Sequence, residues 1–214
     1  MTRLLRRLPG LLWHAVVLEV AMYRNLLRWV VRRPSVGAGD EPVGYARLAT
    51  PVMWLWIGAS AAEIPVAHVL LPWHTIRVVL VVLGVWGLVW MLGLLAGLHV
   101  YPHLLTPTSL RIRDGAFVDV EVPWSAVGSV TTREEELPST MRSLQPLETP
   151  NGTDLRVGVS GRVNVQVRLR APLALATRKG ALTASQVSFW ADEPRAVAAR
   201  IRARADTDGA TLPP

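Results

Sequence analysis

Glu63 and His68, in the stretch GASAAEIPVAH, interrupt an apolar run that extends from Leu48 to Leu71. A carboxylate and an imidazole surrounded by hydrocarbon could relay a proton, hold a cation or fix a contact between helices, and ionisable groups at membrane depth are functional by default. Pro65 loosens the helical ladder beside them, and His68, His74 and Arg77 are near enough in sequence to neutralise Glu63. The leading expectation is therefore a helix contact, within the chain or with another membrane protein. A small transport or proton-coupled accessory subunit using Glu63 and His68 is the alternative.

His99 and His103 are four residues apart, a spacing that can put two imidazoles on one helical face for a metal. Pro102 breaks that helix and no carboxylate completes the set, so neither a metal nor a cofactor is expected. The chain has no cysteine, which removes disulfides, thiolate catalysis and cysteine-ligated metals. It also has no Gly-Lys-Ser/Thr nucleotide loop, no Gly-x-Ser-x-Gly and no carboxylate pair placed to flank a cleft, so no catalytic residue is assigned. The acidic run Glu134 to Glu136 reads as a solvated loop edge.

The elements around these residues are long and apolar in the first half of the chain. Half of the 214 residues are hydrophobic and the mean hydropathy is +0.29, high for a water-soluble globule. From Ala49 to Leu71, and from Ile76 to Leu98 after Arg77, each run is long enough to cross a hydrocarbon core of about 30 Å as a helix. The short connector PWHT makes them a hairpin. Gly84, Gly87, Gly93 and Gly97 offer surfaces where helices can approach closely.

Of the net charge of +7, most is carried before the first span, where eight arginines face three carboxylates. By the positive-inside rule both termini are expected in the cytoplasm, at the cell membrane. In the stretch from Leu11 to Val31, Arg24, Asn25, Arg28 and Arg32 fall on one side of a helical projection, with Arg33 just beyond. That stripe suits a helix lying on the membrane surface against anionic phospholipids; a third span and a soluble packing helix are the alternatives. No small-residue cleavage site follows it, so a signal peptide is not expected.

After His103 the pattern becomes short alternation. Thr108 to Val122 reads as a hairpin turning at Asp114-Gly115, followed by strands near Ala126 to Thr132, Arg142 to Thr149, Asp154 to Ser160, Val163 to Arg170 and Ser185 to Trp190. Asn151-Gly152 marks a further turn. A last helix begins near Asp192, an expected N-cap, with Pro194 in its first turn, Val197 and Ile201 on one face, and Arg195, Arg200, Arg202 and Arg204 on a solvated one.

Two spans followed by LLTPTSLRIRDG…VEVPWSAVGSV and closed by VSFWADEPRAVAARI resemble the bacterial pleckstrin-homology-like (PH-like) membrane proteins over about residues 50 to 205. The resemblance implies an α+β membrane protein with a seven-stranded antiparallel PH-like barrel or sandwich and a C-terminal helix. It implies little about activity, since the fold hosts varied binding roles.

The expected organisation is a basic amphipathic interfacial segment over 1–47, a transmembrane hairpin over 48–99, a cytoplasmic PH-like domain over 100–206 and a disordered tail over 207–214. The expected function is non-enzymatic binding of a protein partner or anionic lipid headgroups at the inner membrane face. Arg168 and Arg170, on the polar side of the Val163 to Arg170 strand, form the candidate binding strip. Because basic and acidic residues nearly balance after residue 100, no nucleic-acid partner is expected.

Overall fold

The computed structural model describes residues 8–139, 142–177 and 180–210. It is an α+β structure in two units, one formed by the residues up to Arg33 with Thr50–Val100, the other by Pro34–Ala49 with the chain from Tyr101 onward.

The first unit is helical: α1 (Leu8–Val30), α2 (Thr50–Leu70) and α3 (His74–Val100). α2 and α3 are the two helices long and apolar enough to span a membrane among the described residues, and they form the expected hairpin. Pro65 lies inside α2. Glycines seat the contacts: a Cβ on Gly84 would come within 2.9 Å of Ile64, and one on Gly93 within 2.8 Å of the Met22 carbonyl oxygen. α1 therefore packs directly on α3. Matching levels rise together along both helices, from Glu19 beside Trp86 and Trp90, through Met22 at Gly93, to Trp29 against His99, so α1 and α3 run parallel.

The C-terminus of α1 closes with Arg32 in the left-handed region at φ 52°. The Arg32 N–H donates to the Trp29 carbonyl and the Arg33 N–H to that of Arg28, the paired bonds of a Schellman cap.

Among the described residues, every exposed large hydrophobic side chain except Phe117 lies between Trp13 and Trp86, within the helical unit. On α1 these include Trp13, Val16, Val17, Val20, Leu27 and Val30, so its outward side is apolar and Glu19 and Asn25 turn inward. The arginine stripe expected to face water is thus split: Asn25 is buried while Arg24 stays exposed. The projection found a polar arc but could not show which side α3 would cover.

The second unit holds nine strands where seven were expected. β1 (Glu41–Val43), β2 (His103–Leu105), β3 (Ser109–Asp114) and β4 (Val118–Pro123) form one sheet in that order. β5 (Val127–Glu136), β6 (Leu144–Thr149), β7 (Gly152–Val157), β8 (Arg162–Thr177) and β9 (Gly180–Phe189) form the other, ordered β5-β8-β9-β7-β6. Neither sheet closes into a barrel, and β7 pairs parallel with β9, so the expected all-antiparallel arrangement does not hold. The two extra strands have three residues each, too short for alternation to register. β1 comes from the segment assigned to the membrane surface, and pairing with β2 draws it into the β unit.

The turns follow their chemistry. Gly115 and Gly152 take positive φ at the two foreseen hairpins, and Ser160-Gly161 takes positive φ at both positions, as a two-residue loop between twisted strands requires. Inward residues from both sheets, among them Ile112, Val120, Leu155, Val165, Val187 and Phe189, meet Trp124 in one core. α4 (Pro194–Ala210) closes it with Val197 and Ile201, the face expected. This helix runs through 207–210 of the segment expected to be disordered; residues 211–214 lie outside the described residues.

Candidate functional site

Glu63 makes no contact with the neutralising groups nearest to it in sequence. Among the described residues no hydrogen bond or ion pair joins Glu63 to His68, His74 or Arg77, and both Glu63 and His68 are exposed. Another carboxylate, Glu19 on α1, is fully engaged. Its Oε1 accepts from the Trp86 indole N–H at 2.7 Å and from the Tyr23 hydroxyl, and its Oε2 accepts from the Trp90 indole at 3.0 Å. Tyr23 and Trp90 sit four residues from Glu19 and Trp86 respectively, the spacing that stacks side chains on one helical face. The sequence held both pairs, but nothing local linked them. Nearly two turns along α1, Asn25 is buried with neither amide atom bonded.

Glu63 instead lines a groove of about 590 Å³ between α2 and α3, with Ser60, Ile64 and Ala67 on one side and Gly84, Trp86, Gly87, Trp90 and Met91 on the other. His68 is not among the lining residues.

His99 and His103 are not a pair. The His99 ring lies 5.9 Å from Trp29, with Nδ1 3.0 Å from the Leu95 carbonyl oxygen. His103 is buried in β2, stacked on Tyr45 at 4.4 Å and edge-on to Phe189 at 5.1 Å. Its Nδ1 accepts the Arg113 backbone N–H at 2.9 Å, so Nε2 carries the proton and donates to the Trp190 carbonyl at 2.9 Å. Burial, with Arg113 nearby, pushes the His103 imidazolium down to about 4.

A neutral buried histidine contributes stability that is complete above its unfolded value near 6.5 and is lost as pH falls toward 4. Burial moves the Asp114 and Asp192 carboxyls upward, and these favour folding as pH falls, so the histidine is isolated by comparison with His103→Gln. Between pH 7 and pH 4 the stability of the wild-type chain in detergent, relative to that variant, is expected to fall by about 3 kcal/mol. An unchanged difference across that range would mean that His103 takes up its proton as readily folded as unfolded, with Nδ1 released from the Arg113 N–H.

Arg113 gathers two stretches of backbone at the same end of the β unit. Its Nε donates to the Pro102 carbonyl at 2.7 Å and its Nη2 to that of Ser35 at 2.8 Å. Nearby in the fold, the Asp192 carboxylate accepts the Arg47 N–H at 3.0 Å. Residues 34–35, 47–49 and 101–102 are where the chain passes to and from the helices, so these bonds tie all three passages to one end of the β unit.

Most other arginines of this unit are also occupied. Arg200 and Arg204 of α4 pair with Glu41, and Arg202 donates to the Val130 carbonyl, so three of the four arginines expected on a solvated face hold β1 and β5, while Arg195 is exposed as expected. Glu134 and Glu136 pair with Arg162 within the strands rather than forming a loop edge.

The candidate strip belongs to a face that crosses all five strands of the second sheet. Opposite the core, register aligns Ser129, Arg168, Gln186 and Asp154 in one row and Thr131, Gln166, Ser188, Arg156 and Gln145 in the next. Toward β7 the face is sealed: Ser188 Oγ donates to Asp154 at 2.9 Å, Arg156 Nε donates to Asp154 at 2.7 Å, and Arg156 Nη2 reaches Glu135 at 2.8 Å. Toward β5 it is open. Arg168 is exposed there with no bonded partner among the described residues, beside Ser129 and Thr131. Arg170, by contrast, donates its Nε to the Val127 carbonyl at 2.9 Å, past a register shift that follows Arg168. The strip therefore contributes one free guanidinium, not two.

No group of three His, Asp or Glu side chains able to hold a metal occurs among the described residues. Comparison of the chain with protein-family models, with curated proteins and with solved structures returns no match.

Proposed function

We propose that this is a non-enzymatic membrane protein whose helical unit lies in the cell membrane and whose β unit, PH-like in plan, holds a protein partner at the cytoplasmic side. The observation that carries this reading is Arg168, unpaired on the open half of a polar five-stranded face while neighbouring arginines are held by carboxylates or carbonyls. A guanidinium set among hydroxyl and amide groups suits an acidic protein surface. Strands followed by one C-terminal helix closing the core support the PH-like plan, from which nine strands and the parallel β7–β9 pair depart.

Position favours protein over lipid at this face. β8 leaves the end that carries the chain passages at Asn164, bonded to Ala191 there, and runs outward to Thr177. At about 3.3 Å per residue Arg168 stands roughly 13 Å from that end. Anionic phospholipids are instead assigned to Arg28, Arg32 and Arg33, where α1 ends. Tethering keeps even a weak protein contact at high local concentration.

A photocrosslinking residue at Gln166 of the full chain in native membranes is expected to capture an acidic protein segment, with yield lowered about tenfold by Arg168→Glu. Protection of Gln166 by anionic vesicles, with no protein adduct sensitive to Arg168, would transfer the face to lipid and overturn the reading.

A further inference from the structure

The groove between α2 and α3 has an acceptor with no donor. Three polar side chains line it besides Glu63, and each has its proton committed: Ser60 Oγ lies against Met91 Sδ at 3.7 Å, and the Trp86 and Trp90 indoles both donate to Glu19. Within a turn, Pro65 has no N–H to give the Ala61 carbonyl. Whatever fills the groove must therefore bring the donor, and for a carboxylate in hydrocarbon the compensating group is a cation.

The groove's length identifies the kind of occupant. Its lining runs along α2 from Ser60 to Ala67 and along α3 from Leu80 to Met91, about 10 Å and 16 Å of helix at 1.5 Å per residue. That length matches two to three turns of another helix. The groove's floor is left open at Gly87, where a Cβ would meet nothing within 4 Å, whereas Gly84 one turn earlier is filled by Ile64. The opening is thus not part of the packing between α2 and α3.

We propose that this groove docks a transmembrane helix of another protein that carries a lysine or arginine opposite Glu63. The proposal rests on the membrane-embedded reading of the helical unit and adds the chemistry of its partner. Glu63 then does for the assembly what Glu19 does within the chain: it draws donors from a neighbouring helix. The difference is that the Glu19 donors are supplied by α1 and α3 themselves.

The test places a photocrosslinking residue at Ala67 of the full chain in native membranes. The expected adduct maps to a membrane-spanning segment containing lysine or arginine, and its yield falls about tenfold or more with Glu63→Gln. Gly87→Leu, which fills the slot, abolishes it. Neither substitution touches a bond within the chain, so thermal stability in detergent should be unchanged in both. Exchanging charges, Glu63→Lys with the partner's basic residue made Glu, restores the adduct.

An adduct lost with Gly87→Leu but unchanged by Glu63→Gln, or one mapped to a segment without a basic residue, would overturn the cationic partner while keeping membrane docking. Adducts to lipid or to a second copy alone would overturn docking by a foreign helix. If no adduct forms and the chain is extracted without detergent, the embedded reading falls with it.

Discussion

Asp154→Ala is expected to destabilise the β unit by about 3–5 kcal/mol, because it removes one member of a buried charge network and leaves another uncompensated. Asp154 has no solvent exposure and receives both the Arg156 guanidinium and the Ser188 hydroxyl. Arg156 keeps Glu135, but that carboxylate is a quarter exposed and lies on β5, so the guanidinium would lose its partner on its own strand. The network spans from β7 toward β5 across the sheet, and the loss should therefore appear as one cooperative unfolding shift. It is measured by thermal or denaturant unfolding of the full chain in detergent, with Asp154→Asn as the comparison. Asparagine keeps the acceptor for Ser188 and discards the charge, so its smaller cost would apportion the loss between hydrogen bond and ion pair. A cost below about 1 kcal/mol for alanine would show that water reaches Arg156 and replaces the carboxylate.

The second large effect is topological. α1 runs parallel to α3, and its outward side is apolar. A helix so placed in a bilayer enters from the face that carries the α2–α3 connector. The natural chain has no cysteine, which makes single-cysteine labelling unambiguous. Thr2→Cys and His74→Cys are expected to react with a membrane-impermeant maleimide added outside intact cells, and Ser160→Cys only after permeabilisation. Arg28, Arg32 and Arg33 at the end of α1, and Arg47 before α2, would then lie at the cytoplasmic face, as the arginine bias demands. Labelling of Thr2→Cys together with Ser160→Cys would instead put α1 on the cytoplasmic surface, the arrangement first suggested by its amphipathic stripe, with both termini on one side. The parallel contact with α3, seated at Gly93 and closed by the two indoles on Glu19, would then not survive in the membrane.

Local chemistry made much of this architecture legible. The two long helices follow from long apolar runs, and the β3–β4 and β6–β7 hairpins from Asp-Gly and Asn-Gly turns. The alternation of β8 placed Val163, Val165 and Val167 in the core and Arg168 outside, and Val197 and Ile201 on the inner side of α4. Each signal is local, lying within one continuous stretch of chain where composition, periodicity and turn geometry operate.

What the sequence could not decide is which polar groups meet across large separations. Glu63 drew attention because it stands alone in an apolar run, yet Glu19 found the donors, since α3 lies against α1 and presents Trp86 and Trp90 at its level. The arginines of α4 looked like a solvated face until β1 arrived with Glu41 from 159 residues away. Arg168 and Arg170 read alike along the strand, but a register shift after Arg168 leaves one open and sends the other to Val127. A residue's type and spacing determined what it was able to do: helices that can span, strands that can pair, carboxylates that need donors. Only the tertiary structure decided which of those needs are met inside the chain and which, at Glu63 and Arg168, are not met among the described residues, because that depends on distances no local pattern encodes.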